Sequence, residues 1–436
     1  MRINNQYKSI SLVLVFLSIL SFFIGFIYGE NSAGGGTLKG DFVILWKNLQ
    51  TFLNNDLKTA IKFTTEINHE NFQSSRTPLL YILHKLFNPF AENQVYFIRS
   101  VFVISLLVPV LFYLCLRQKF KSEENLLLIL ISSTVLLSPY FRTSSYWGLE
   151  ENYGLVCLLV SFLFLDKFLT KVRNNNNYYY LFLITFFSSL CLYFDQKLVI
   201  IPLICFIKII YSKNSLKLKI FSLVLYFIFS LPYIYLIFSW GNLIPTPDAT
   251  ARGIGEQLHL GHIGYCATII AFYLFPLLLY RKSNLVNLFK NFLRSNKNYY
   301  LIILFFIYLI YLVFFYDYNN EVLLGKGFIH KTALVLFNEN FLQRLFIYFS
   351  FFVSWIIILI YADNNIKDKA IIFYFFLLSI VIFPILQEYF DPLIILMAFT
   401  FFNSKLVINY KYSITLFLYL ATFLIFSNIY YYNLLN

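Results

Sequence analysis

Apolar residues run along this chain in blocks of about 20, separated by short stretches where Lys, Asn and Tyr gather. A helix rises about 1.5 Å per residue, so about 20 apolar residues reach across the hydrocarbon of a bilayer. The first block, Ile10 to Tyr28, follows Arg2 and Lys8. It is similar to a signal peptide, but it is long enough to span and no small-residue cleavage site follows, so it reads as an uncleaved first helix. Further spans are predicted near 95–116, 126–141, 154–170, 178–194, 196–212, 220–240, 264–280, 299–316, 345–361, 370–386, 392–403 and 413–432. The expectation is an all-α, polytopic membrane protein of about 13 spans. Between the first two lies a polar segment, Gly29 to Thr77, with an amphipathic stretch from Asp41 to Phe63. Pro78 to Phe87 is apolar but too short to cross, and is expected to lie at the interface.

Composition supports the pattern. Of 436 residues, 59% are hydrophobic and 13% charged, where a soluble protein has about 25% charged residues. The net charge of +13 would point to nucleic acid in a soluble chain; here loop asymmetry accounts for it. With the N-terminus inside, the inner segments hold 21 of the 34 Lys and Arg but only five of the 21 Asp and Glu (Glu123, Glu124, Asp166, Asp363 and Asp368). The outer loops, longest at 29–94, 240–263 and 317–344, therefore keep most of the acidic side chains. The five cysteines fall in apolar runs without metal spacing and read as small core hydrophobes. No phosphate-binding Gly-rich motif and no dinucleotide fingerprint occurs, which argues against ATP-driven transport by this chain alone.

Candidate chemistry concentrates outside. Asp41 follows the glycines Gly34, Gly35, Gly36 and Gly40, which would let a carboxylate reach the membrane surface as a general base. An ordinary loop aspartate, or an N-cap for a helix over 42–53, is the simpler alternative. Glu150 and Glu151 open the span at 154 and suit a metal, an acceptor, or a pairing with Arg142; a negatively charged helix start explains them equally. Arg76, Arg99 and Arg142 suit a phosphate, or simply lipid headgroups. Asp195 and Lys197 occupy a tight turn close to membrane depth, where charges are functional candidates, though they also suit a mutual ion pair. Glu256, His259 and His262 have helical metal-ligand spacing, but the flanking glycines favour a loop. Gly325-Lys326-Gly327 with His330, Lys331 and Arg344 makes a basic loop, suited to a phosphate, an anionic sugar or solvent.

Residues 75–117 (SRTPLLYILHKLFNPFAENQVYFIRSVFVISLLVPVLFYLCLR) resemble the GT-C membrane glycosyltransferases, which include protein O-mannosyltransferases and lipid A aminoarabinose transferases. Pro78-Leu-Leu-Tyr81 stands where the family has HPPL, Glu92-Asn93 matches its GEN turn, and Arg99-Ser100 its RLPS start. Ser138-Pro139-Tyr140-Phe141-Arg142 resembles the family's LSPLFVR, and the likeness covers about residues 10–212. The chain departs from the family where an acidic pair becomes Gly40-Asp41-Phe42 and the motif His becomes Thr77. The resemblance implies a catalytic half over 1–212 and a C-terminal transmembrane half over 213–436, in a bacterial cytoplasmic membrane. It implies Asp41 as catalytic base, assisted by Glu150 and Glu151. The donor would be a sugar on a polyprenyl phosphate and the acceptor a lipid, glycan or protein, with a divalent cation left open and no nucleotide or nucleic acid needed. A lipid-linked oligosaccharide flippase remains a rival, though no internal repeat is found. So does an O-antigen-type polymerase or ligase, for which the basic loop 317–344 is the relevant feature.

Overall fold

The computed structural model describes residues 2–34, 36, 41–68, 70, 72, 76–170, 177–245, 258–281, 290, 296–316, 325–362 and 365–435. Among these residues every regular element is helical. Seven helices are long and apolar enough to cross a membrane: Asn5–Ile27, Gln94–Lys119, Glu151–Thr170, Asn177–Phe194, Leu216–Trp240, Asn340–Ala362 and Tyr410–Tyr432. The pair Asn125–Leu137 and Pro139–Tyr146, bent by 69°, makes an eighth if it is one span. Large apolar side chains face outward along these helices, among them Leu12, Phe16, Phe227 and Phe238, the last 81% exposed. Such a surface is stable in lipid, not in water. The chain is a membrane-embedded helical protein.

Other predicted spans are shorter or broken. Residues 196–212 form a 3-10 turn, Gln196–Val199, and an 11-residue helix, while 392–403 contains a helix of seven. His262–Leu274, Tyr299–Phe315 and Gly327–Leu336 are apolar but short. The breaks have local causes. Ser138 caps the helix after the 69° bend by accepting from the Phe141 N–H at 3.0 Å, and Pro139 takes its first position, where a missing N–H costs nothing.

Residues 1–251 with 417–436 form one compact unit, and 252–416 another. In the first unit the helices are α1 (Arg2–Ile27), α2 (Asp41–Asn54), α3 (Leu57–Thr65), α4 (Leu79–Phe87), α5 (Gln94–Ser105), α6 (Leu107–Lys119), α7 (Asn125–Ser133), α8 (Pro139–Tyr146), α9 (Glu151–Thr170), α10 (Asn177–Phe194), α11 (Ile200–Ile210) and α12 (Leu216–Trp240). Helix α9 packs on α6 and α10, and α10 on α12, so the unit extends past the division read at 212. The amphipathic stretch 41–63 is two helices, because the Asp56 carboxylate caps α3 by accepting from Lys58 N at 3.0 Å and Thr59 N at 3.1 Å. Helix α2 buries Phe42, Leu45, Leu49 and Phe52 and packs on α4, whose buried face carries Leu80, Tyr81 and His84.

The second unit is organised on α13 (His262–Leu274), which is buried on nearly every side. Around it pack α15 (Gly327–Leu336), α16 (Asn340–Ala362), α17 (Ile366–Val381) and α18 (Leu393–Phe399), while α14 (Asn296–Phe315) lies against α16. The last helix, α19 (Tyr410–Leu435), follows.

Candidate functional site

Three separate segments of the first unit bring charge to one place. Asp41 is the first residue of α2, where the positive end of the helix dipole suits a carboxylate. Arg76 stands just before α4, and Thr77 beside it is fastened by donating its hydroxyl to the Tyr193 carbonyl at the end of α10. Glu150 and Glu151 sit at the start of α9. The Arg76 guanidinium lies 3.4 Å from Asp41 Oδ2 and 3.6 Å from Glu151 Oε1, and makes its closest ion pair with Glu150 Oε1. One arginine thus serves three carboxylates, a use of its planar fork that lysine could not copy.

Asp195 and Lys197 join from the turn after α10. Asp195 accepts from the Lys197 N–H at 3.1 Å, and the Lys197 ammonium lies 3.3 Å from Asp195 Oδ2. The Asp195 carboxylate lies near enough to Glu150 to oppose its ionisation, and Glu151 acts likewise on Asp195. Among the described residues, four carboxylates therefore share two cations here.

Burial separates their roles. The Asp41 side chain is 43% exposed, while Glu151 is 22%, Asp195 10% and Glu150 9% exposed. Burial pushes the Glu150 carboxyl up to about 7 against the pull of Arg76, with Glu151 adding to the rise. Burial likewise raises Asp195, against Lys197. Glu150 Oε2 is buried and, among the described residues, finds no hydrogen-bond partner. Around the group, Ser144 Oγ donates to Glu151 at 3.1 Å, and Asn48 Nδ2 donates to the buried Tyr81 hydroxyl at 3.3 Å. Burial and the Glu150 charge both push the Tyr81 phenol up, so it stays protonated.

Arg142 and Arg99 do not come to this cluster. Arg142 is 2% exposed, and its donors are consumed within the fold. Nε bonds Glu30 Oε1 at 2.9 Å, Nη1 bonds Ser21 Oγ at 3.0 Å and the Leu136 carbonyl at 3.1 Å, and Nη2 bonds the Ser21 carbonyl at 2.8 Å and Glu30 Oε2. A guanidinium so saturated has no donor left for a ligand phosphate. Arg99 is exposed on α5 and packs 5.7 Å over the Tyr96 ring. Glu30, which completes the Arg142 pair, carried no motif; a lone carboxylate ending the first span, on the same side as Arg142, was the signal available. Tyr81 and Ser144 carried none.

In the second unit the His259 and His262 rings stack at 4.9 Å, and His262 Nδ1 lies 2.7 Å from the Ile382 carbonyl. Glu256, their proposed companion, lies outside the described residues, as do Gly35, Gly40, Gly253 and Gly255. Among the described residues no group of three or more His, Cys, Asp or Glu could hold a metal ion. All five cysteines are free and buried. Lys326 and His330 are buried at the start of α15. Comparison with family models, with curated proteins and with solved structures finds no match to this chain.

Proposed function

We propose that the protein is a membrane glycosyltransferase of the GT-C type, with about 13 spans counting the short and broken ones. It would move a sugar from a polyprenyl-phosphate donor to a lipid, glycan or protein acceptor at the outer face. The observation that carries this reading is the convergence of Asp41, Arg76, Glu150, Glu151, Asp195 and Lys197 from four segments, with Asp41 the most exposed carboxylate among them. Structural ion pairs satisfy each charge at least cost, whereas this group leaves carboxylates in excess beside membrane helices, an expensive arrangement that is kept for function.

Chemically, the acceptor oxygen attacks C1 of the sugar while the bond from C1 to the phosphate oxygen breaks, its electron pair leaving on the phosphate. The acceptor proton passes to Asp41, the carboxylate that an incoming hydroxyl can reach. Arg76 fixes the direction of Asp41 and ties it to Glu150. Positive charge inside and acidic groups outside support placing this chemistry on the outer face.

Purified protein in lipid nanodiscs, given radiolabelled sugar on polyprenyl phosphate or on a nucleotide, tests the reading. Transfer from the lipid-linked donor alone is expected. Transfer from the nucleotide sugar, or movement of the lipid-linked sugar across a bilayer without transfer, contradicts it.

A further inference from the structure

Beneath the Arg76 cluster, two buried oxygens stand without donors. Asn48 is fully buried on α2, and its Oδ1 has no hydrogen-bond partner among the described residues. Glu150 Oε2 is orphaned in the same way, since Arg76 takes the other oxygen of that carboxylate. Acceptors withdrawn from water and left unmet are costly, and native folds keep few of them. One phenol lies by both. The Tyr81 hydroxyl accepts from Asn48 Nδ2 at 3.3 Å, and it is near enough to Glu150 for that charge to oppose its ionisation. Having accepted, the hydroxyl still carries a proton to donate.

Helix geometry sets this group in line with Asp41. Asn48 follows Asp41 by about two helical turns, so both lie on one face of α2, about 10 Å apart along its axis. Phe52, one turn further on that face, backs the Tyr81 ring at 5.4 Å between centroids. Arg76 reaches both ends, 3.4 Å from Asp41 Oδ2 and paired with Glu150 Oε1. Side-chain exposure falls inward along the series, from 43% at Asp41 through 19% at Arg76 to 9% at Glu150. It ends at the buried Tyr81 and Asn48.

We infer that Asn48, Tyr81 and Glu150 form the subsite that takes hydroxyl groups of the transferred sugar and holds its C1 toward Asp41, an inference that rests on the transferase reading. The chemistry of the three groups selects the ligand. An ionised phosphate offers only acceptors and cannot satisfy two acceptor oxygens. An ammonium only donates and would leave the Tyr81 proton unmet. A sugar hydroxyl does both. Neighbouring hydroxyls therefore serve Asn48 Oδ1, the Tyr81 hydroxyl and Glu150 Oε2 together, whether or not Glu150 carries its proton. Entry is from the Asp41 end, where the series opens to solvent.

Titration of the full-length protein in nanodiscs tests it, with bare polyprenyl phosphate and with polyprenyl phosphate carrying glucose, galactose or mannose. The readout is the gain in affinity that a sugar adds over the bare carrier. A gain with one or more sugars is expected in the wild type. It should shrink about tenfold in Asn48→Leu and in Tyr81→Phe, while both variants bind the bare carrier as the wild type does. Tyr81→Phe removes a single atom, so it tests the site even where Asn48→Leu folds poorly. The double variant removes both partners of one hydrogen bond and should melt no lower than the wild type. A gain of wild-type size in both single variants overturns the subsite, as does no gain from any of the three sugars, and either result leaves the transferase reading standing. A double variant that melts lower yet keeps the gain marks a structural network and overturns the subsite too. Binding of no carrier by the wild type, bare or sugar-bearing, removes the transferase reading and the subsite with it.

Discussion

Glu150 is where burial and charge pull hardest against each other. Its carboxyl ionises at about 4.5 when free and is pushed up to about 7 in the fold, chiefly by burial. The folded state therefore binds this proton more tightly than the unfolded chain does. Its contribution to stability is fully present below pH 4.5 and is lost as pH rises through about 7, amounting to up to about 3 kcal/mol. Melting temperature followed from pH 4.5 to 8 should fall more steeply in the wild type than in Glu150→Gln, which stays neutral throughout. Equal slopes would mean that Glu150 is not held protonated. At this scale the meeting of the charges was largely legible: Asp41, Arg76, Glu150, Glu151, Asp195 and Lys197 stand out as charges flanking apolar runs, and they come together. The pairing of Asp195 with Lys197 was legible; the sharing of Arg76 among three carboxylates was not. Arg142 looked like a ligand for phosphate because its partner Glu30 lies 112 residues away, and no local pattern joins them.

Helix α8 is held by that distant pair. Arg142 ties it to α1 through Glu30 and Ser21, the Tyr146 hydroxyl donates to the Phe22 carbonyl at 2.6 Å, and Asn428 of α19 donates to Glu30 at 3.2 Å. Gly25 leaves room for the crossing, since a Cβ there would sit 2.6 Å from the Arg142 guanidinium. Helix α8 also carries Ser144, which donates to Glu151, so the clamp helps aim the charged cluster. Glu30→Gln leaves Arg142 buried without its counter-ion and should cost about 3–5 kcal/mol, seen as a lowered melting temperature. A melting temperature within a degree or two of wild type would show the pair to be dispensable. Capping residues break the chain at Asp56 and at Ser138-Pro139, inside the stretch 41–63 and the predicted span 126–141; neither break was legible, because hydropathy alone runs straight through both. Residues 196–212 read as one continuous apolar run, but Asp195 starts a tight 3-10 turn, so the regular helix is only 11 residues long.

Across the whole molecule, the outward apolar surface and the long apolar helices make the bilayer its solvent. Membrane class was legible from periodicity and composition because each helix must satisfy its own backbone in lipid and so shows its full length in the chain. The organisation into units was less so. Residues 417–436 belong with 1–251, a return that no local feature announces. We propose that one accessible carboxylate, Asp41, held by Arg76 among buried acids, drives sugar transfer from a polyprenyl phosphate. The most direct test is the initial rate of that transfer by purified wild type and Asp41→Asn in the same nanodiscs, with donor binding followed in parallel. A rate lowered by about 10²-fold or more, the range for losing a general base, is expected, with donor binding retained. A rate in Asp41→Asn equal to that of the wild type would contradict it.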